Sequence, residues 1–327
     1  MGRFFGVLLP KIAFLFPGQG SQYPGMGREL AGAFPCASRV FEEADQAAGF
    51  PLSKLCFEGP AEELQLTANT QPAILAASVA VAEVLREKGV HADYVAGHSL
   101  GEYSALVVAG ALRLGDAVQL VRKRGQYMQE AVPVGQGAMA ALLGMEVGAV
   151  EEVCREASQG EVVSPANLNS PGQVVIAGCA SAVARAVEFA KERGARKAVM
   201  LNVSAPFHCA LMQPAQERLS RDLEVAEIAD PQIPLANNAD AQVVRSAAAV
   251  RDGLRRQVTS PVRWEQSIRV LRAESVELFV EVGPGKVLTG LLRQIDRQAE
   301  GLHVEDVASL NEVLARLTAS RIREEQP

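Results

Sequence analysis

The 327-residue chain lacks the cysteine spacing of a metal site or a disulfide framework: Cys36, Cys56, Cys154, Cys179 and Cys209 stand far apart, with no C-x-x-C pair. That pattern suits a reducing compartment, read as the cytoplasm. An excess of positive charge is also missing. The formal net charge of −6 provides no basic field to grip nucleic acid. Long apolar runs near the N-terminus are absent as well. Phe4 to Leu9 is too short for a signal-peptide core or a membrane span, and Pro10-Lys11 interrupts it before Ile12 to Phe16. Histidine is scarce, with four in the chain, all dispersed, so no metal is expected. No internal repeat or low-complexity linker divides the chain. What remains is a composition of 48% hydrophobic and 21% charged residues, which belongs to a globular enzyme with an extensive core.

The most informative stretch that is present is Gly97-His98-Ser99-Leu100-Gly101. G-x-S-x-G is how a sharp strand-to-helix turn presents a serine nucleophile, with glycines where strand and helix crowd together. The flanks agree. Tyr94 to Ala96 is a short apolar run suited to a buried strand, and Leu100 to Ala111 has the composition of a buried helix. A Gly-Ser-Gly turn can also be a simple cap or a phosphate-binding loop, so the motif needs partners.

Upstream, Ile12 to Phe16 reads as a central strand closed by the loop Pro17 to Gln22, and helical segments follow up to Val90. Asp116 reads as the N-cap of a helix whose apolar stripe holds Ala117, Leu120, Val121 and Met128. Arg124 falls on that stripe. From the stripe alone it is a snorkelling arginine or a structural ion pair. Between Gly137 and Val203 the pattern becomes strand 138–143, helix 147–158, strand 162–166, strand 173–177, helix 181–193 and strand 198–203. This β-α-β-β-α-β order is the ferredoxin-like unit. The expected organisation is a discontinuous large subdomain, 12–136 and 204–310, interrupted by a small subdomain at 137–203. The first eleven residues and 320–327 are expected to be flexible ends.

A serine hydroxyl needs a general base. His98 adjoins Ser99, and neighbouring side chains diverge at a tight turn; His91 and His303 lie in unpromising places. His208 sits in Ser204-Ala205-Pro206-Phe207-His208-Cys209, a loop leaving a strand for a helix, where catalytic groups are often displayed. It is the candidate base. The only aspartate between Ser99 and His208 is Asp116, so the third partner is expected to be a backbone carbonyl or an amide.

Five segments together resemble the malonyl-CoA:acyl carrier protein transacylase family: Phe16 to Gln22, Gly97 to Glu102, Arg124-Gly125, Pro206-Phe207-His208 and Glu281 to Gly285. The resemblance runs from about Ile12 to about Ile295, with the motifs in the family's order. It implies an α/β fold: an α/β-hydrolase-like core with a parallel sheet, carrying an inserted ferredoxin-like subdomain. It also implies Ser99 as nucleophile, His208 as general base and acid, and the backbone N–H groups of Gln19 and Leu100 as oxyanion hole. Gln257 matches the residue whose main-chain carbonyl orients the histidine. Arg124 matches the arginine that binds the malonyl carboxylate, a role for which a planar guanidinium is suited. Asn167 and Asn169 resemble residues lining the CoA side of the cleft, or they serve plain turn chemistry. Phe207 resembles the residue found beside the histidine in acyltransferases that select malonyl over branched extenders.

The implied substrates are malonyl-CoA and holo acyl carrier protein, with no cofactor beyond the CoA thioester itself. No metal, nucleic acid or membrane partner is expected. An acidic carrier would dock on a local basic patch, for which Lys191, Arg193, Arg196 and Lys197 are candidates. Two alternatives share the serine motif. A discrete acyltransferase of polyketide synthesis shares every segment quoted, whereas a serine esterase or thioesterase has no use for a buried arginine, whose desolvation is costly without an anion.

Overall fold

The computed structural model describes residues 10–203 and 205–325. The strands among them are β1 (Lys11–Phe16), β2 (Tyr94–Gly97), β3 (Gly137–Leu143), β4 (Val163–Ser170), β5 (Gln173–Cys179), β6 (Lys197–Met200), β7 (Leu235–Ala236), β8 (Val243–Val244), β9 (Val276–Val282) and β10 (Glu300–Val304). They form two sheets. The larger has the order β10-β9-β1-β2-β7-β8, parallel throughout except for the edge strand β8. Its central strands are buried on both faces, which is why β1 and β9 read as nearly continuous apolar runs rather than alternating ones.

The smaller sheet has the order β4-β5-β3-β6 and is antiparallel, with helices Val147–Ser158 and Ala180–Glu192 packed against it. That is the ferredoxin-like connectivity, and with the parallel sheet it makes the fold the expected α/β class. The small sheet is tied at β4 to the segment that leads into helix Trp264–Ala273. Leu168 N–H donates to the Val262 carbonyl, and Val262 N–H donates to Ala166, both at 2.9 Å.

Helix Thr67–Glu87 is long and apolar enough by length and composition to cross a membrane, yet 83% of its apolar window is buried inside the protein. It packs against helices Pro35–Ala48 and Leu114–Glu130, so protein fills the surroundings that lipid would otherwise supply. On the opposite face of the large sheet, Trp264 is fully buried with Leu15, Phe279 and Ile268.

Several local expectations change. Residues 1–9 of the proposed flexible extension lie outside the described residues, but Lys11 is already paired in β1, opposite Val276. The helix Val307–Glu325 runs through residues 320–325, which their polarity marked as a loose end, while residues 326–327 lie outside the described residues; Arg and Glu are good helix formers. The helix assigned to start at Asp116 starts at Leu114 with Arg113 as N-cap, and Asp116 lies in its first turn, where a negative charge favours the helix dipole. Asn167 and Asn169 lie inside β4, which continues to Ser170, so they are not turn residues. Pairing of β6 with β3 ends at Met200; after one further bond from Leu201 N–H to Met139, the chain leaves the sheet toward the cavity described next.

Candidate active site

The carboxyl ends of β1, β2 and β7 meet at Ser99. The chain turns there with φ 52°, a left-handed conformation that costs energy in a residue other than glycine. The glycines around it are required by crowding. A methyl group on Gly97 would sit 1.9 Å from the Gly101 carbonyl carbon, and one on Gly101 would sit 2.0 Å from the Phe16 carbonyl oxygen. Asn238, just beyond β7, braces the turn. Its Oδ1 accepts from Ser99 N–H and its Nδ2 donates to the Gly97 carbonyl, both at 2.7 Å.

His208 Nε2 lies 2.7 Å from Ser99 Oγ, and His208 Nδ1 lies 2.9 Å from the Gln257 carbonyl oxygen. A carbonyl only accepts, so the proton sits on Nδ1 and the lone pair of Nε2 faces the serine hydroxyl. Gln257 ends the helix Ala247–Gln257, and a carbonyl in the last turn of a helix has no intrahelical donor. The helix terminus therefore takes the place of the missing aspartate. Burial first, and then the Arg124 charge, push the imidazole pKa down to about 3, so His208 is neutral at neutral pH.

Arg124 is 1% exposed, on the buried face of helix Leu114–Glu130. Its Nη1 donates to Gln71 Oε1 at 2.8 Å, and its Nη2 donates to Gln257 Oε1 at 2.8 Å and to Ser99 Oγ at 3.1 Å. The Tyr103 ring lies beneath it, 5.4 Å from ring centroid to guanidinium carbon. Among the described residues it forms no ion pair with a carboxylate. The nearest acid, Glu102, is one amide removed: its Oε2 accepts from Gln257 Nε2 at 2.9 Å and from Asn238 N–H at 3.0 Å. Burial raises the Glu102 pKa to about 7, which weakens it as a counter-charge.

These groups open into a cavity of about 140 Å³ lined by Gln19, Leu100, Asn167, Phe207, Met128 and Val203, together with Ser99, His208 and Arg124. Gln19, Leu100, Asn167 and Phe207 thus come to the serine. Asn169 does not: its Oδ1 accepts from Nε2 of His98, a cavity-lining imidazole, at 2.9 Å, and that ring lies 5.6 Å from the Trp264 ring, centroid to centroid. The basic cluster is only partly free, since Lys191 pairs with Glu188 and Arg193 with Glu156, while Arg196 and Lys197 are exposed. Among the described residues, no group of three or more His, Cys, Asp or Glu is arranged to hold a metal ion.

Sequence reasoning missed Gln71, Glu102 and Asn238. Glu102 carried a signal, since it directly follows the serine motif, whereas Gln71 stands among Thr67, Asn69 and Thr70 in the polar first turns of its helix and carried none. Asn238 carried none beyond its position after a short strand.

The sequence model of the acyl transferase domain family matches residues 13–316. The malonyl CoA-acyl carrier protein transacylase of Bacillus subtilis is 52% identical over 299 residues, covering 91% of this chain and 94% of that protein. Among solved structures, an acyl carrier protein S-malonyltransferase of Vibrio cholerae superimposes with a TM-score of 0.91 at 50% identity, covering 93% of this chain and 99% of the other. A malonyl-transacylase solved in complex with a type II PKS acyl-carrier protein matches with a TM-score of 0.91 at 48% identity, covering 94% and 99%.

Replacing Gly101 with alanine is expected to destabilise the protein by about 3 kcal/mol, because the new methyl meets a backbone carbonyl that has nowhere to move. Urea denaturation measures the loss; a change within 0.5 kcal/mol, about the scatter of ordinary surface substitutions, would contradict the crowding argument.

Proposed function

This chain belongs to the acyl transferase family, and from that premise we propose that it transfers a malonyl group from malonyl-CoA to the phosphopantetheine thiol of holo acyl carrier protein, supplying fatty-acid synthesis. The observation that carries this reading is Arg124, a buried guanidinium beside Ser99 Oγ with amide oxygens rather than a carboxylate for partners. A lone buried cation is costly, and a carboxylated acyl group on Ser99 would provide the missing anion.

Ser99 Oγ attacks the thioester carbonyl while His208 Nε2 takes its proton. The backbone N–H groups of Gln19 and Leu100 receive the oxyanion, Leu100 standing at a helix start where N–H groups are unpaired. Collapse expels the CoA sulfur, protonated by His208, and leaves a malonyl ester on Ser99. The carrier thiol then repeats the exchange in reverse order: His208 takes its proton, the sulfur attacks the ester, and Ser99 recovers its hydrogen. No metal or cofactor is assigned, since CoA leaves as the thiol and every proton returns. The malonyl carboxylate, paired with Arg124, cancels a positive charge beside the imidazole and so raises the basicity of His208 once substrate is bound.

Asn167 is assigned to the CoA side of the cavity, and Phe207 to the acyl side, where its ring disfavours a methyl branch. An esterase is disfavoured by Arg124. A second reading, supply of a polyketide carrier, has the support of the related transacylase solved with such a carrier; assay against both carrier types separates the two. The carrier is proposed to approach over Arg196 and Lys197. The free state of all five cysteines supports a cytoplasmic location.

Intact-protein mass spectrometry after incubation with malonyl-CoA is expected to show one malonyl adduct, absent from Ser99→Ala; labelling that persists in that variant overturns the assignment. Arg124→Ala is expected to depress malonyl transfer by about a hundredfold relative to acetyl transfer, as for the loss of a charge-assisted bidentate contact. Equal losses would refute the carboxylate role. In single-turnover acylation, the acid limb of kcat/KM, which reports free enzyme, is expected well below pH 6.5 because His208 is depressed toward 3. The limb of the saturated rate is expected at higher pH, and coincident limbs would count against substrate-linked basicity.

A further inference from the structure

The two terminal nitrogens of Arg124 are held alike. Gln71 Oε1 takes Nη1 and Gln257 Oε1 takes Nη2, each at 2.8 Å, from two different helices, Thr67–Glu87 and Ala247–Gln257. Both amides are themselves fixed. Gln257 Nε2 donates to the Ser99 carbonyl at 3.0 Å and to Glu102, so its oxygen must face Arg124. Gln71 is 2% exposed and its Nε2 points at Met128 Sδ, 3.9 Å away. A buried arginine held for stability alone would be expected to sit against a carboxylate, which the amide's shape would accommodate with one atom changed.

We propose that Gln71 and Gln257 are specificity-determining residues: a neutral brace that aims the Arg124 guanidinium while leaving its charge unspent for the carboxylate of the acyl group. This rests on the reading of Ser99 as the malonyl acceptor. An amide oxygen directs an N–H bond without cancelling the cation. A glutamate at either position would orient the arginine equally well and also neutralise it, and the incoming malonyl carboxylate would then meet a satisfied ion pair beside a new negative charge. The amides are therefore selected for what they lack, and the side chain of Gln257 has a task separate from that of its carbonyl, which holds His208.

The test compares Gln71→Glu with Gln71→Met, a residue remote from the His208 hydrogen bonds. Malonyl-CoA and acetyl-CoA are used as donors and the ratio of their kcat/KM values is read. Gln71→Glu is expected to lower the malonyl-to-acetyl ratio by at least about tenfold, mainly through the malonyl KM, whereas Gln71→Met, which removes one of the two aiming contacts but adds no charge and leaves Gln257 on Nη2, lowers it by only about threefold. Gln71→Glu should also raise the thermal midpoint, since it pairs a lone buried charge. A Gln71→Glu protein that fails to fold, an unchanged ratio, or equal falls in both variants would each overturn the brace. Failure of the parent enzyme to take malonyl onto Ser99 would instead remove the functional reading beneath it, so the two failures are told apart.

Discussion

The start of the helix at Gly101 lies so close to the end of β1 that the Phe16 carbonyl leaves no room for a single added methyl group. This contact sets the position of the helix start, and with it the direction of Ser99 and of the N–H groups that follow. The left-handed turn at Ser99 is held from outside by Asn238, which bonds the backbone on both sides of the serine. Ser99 is therefore positioned by backbone packing and one amide, before His208 is considered. His208 arrives from a different sheet, in a loop, and needs its own anchor.

That anchor is a helix terminus. The Gln257 carbonyl accepts from His208 Nδ1–H because the last turn of its helix leaves it unpaired. An aspartate in the same place would put a full negative charge beside Arg124 as well as beside His208. A dipole orients the imidazole while leaving the arginine its charge, so the absence of an acid behind the histidine and the presence of an unpaired cation beside the serine are one electrostatic design. Burial makes both effects strong, holding His208 neutral and leaving Arg124 in need of an anion.

The ferredoxin-like unit contributes more than a wall. Through β4 it brings Asn167 to the cavity and Asn169 to His98, and the bonds to Val262 tie that strand to the segment leading into Trp264. His98, although adjacent to Ser99, spends its Nε2 on Asn169, so the imidazole that bonds Ser99 Oγ is that of His208.

Much of this could be read from the chain alone. Local crowding writes itself into local composition, which is why Gly97 and Gly101 disclosed the turn and alternation of strand and helix patterns disclosed the small sheet; Arg124 stood out on its apolar stripe, but only the family resemblance marked it as a binding residue. The scarcity of histidine narrowed the base to His208. What the sequence could not disclose are the partners supplied across long separations by residues of ordinary type. Asn238 reaches Ser99 across 139 positions, Gln257 reaches Arg124 across 133, and Gln71 reaches it across 53. Asparagine and glutamine serve turns, caps and surfaces everywhere, so their identity carries little information until the fold decides what they face. Which end of each amide meets the guanidinium, and hence whether its charge is cancelled or kept, is a property of tertiary packing: it depends on every other donor and acceptor that the fold has buried beside it.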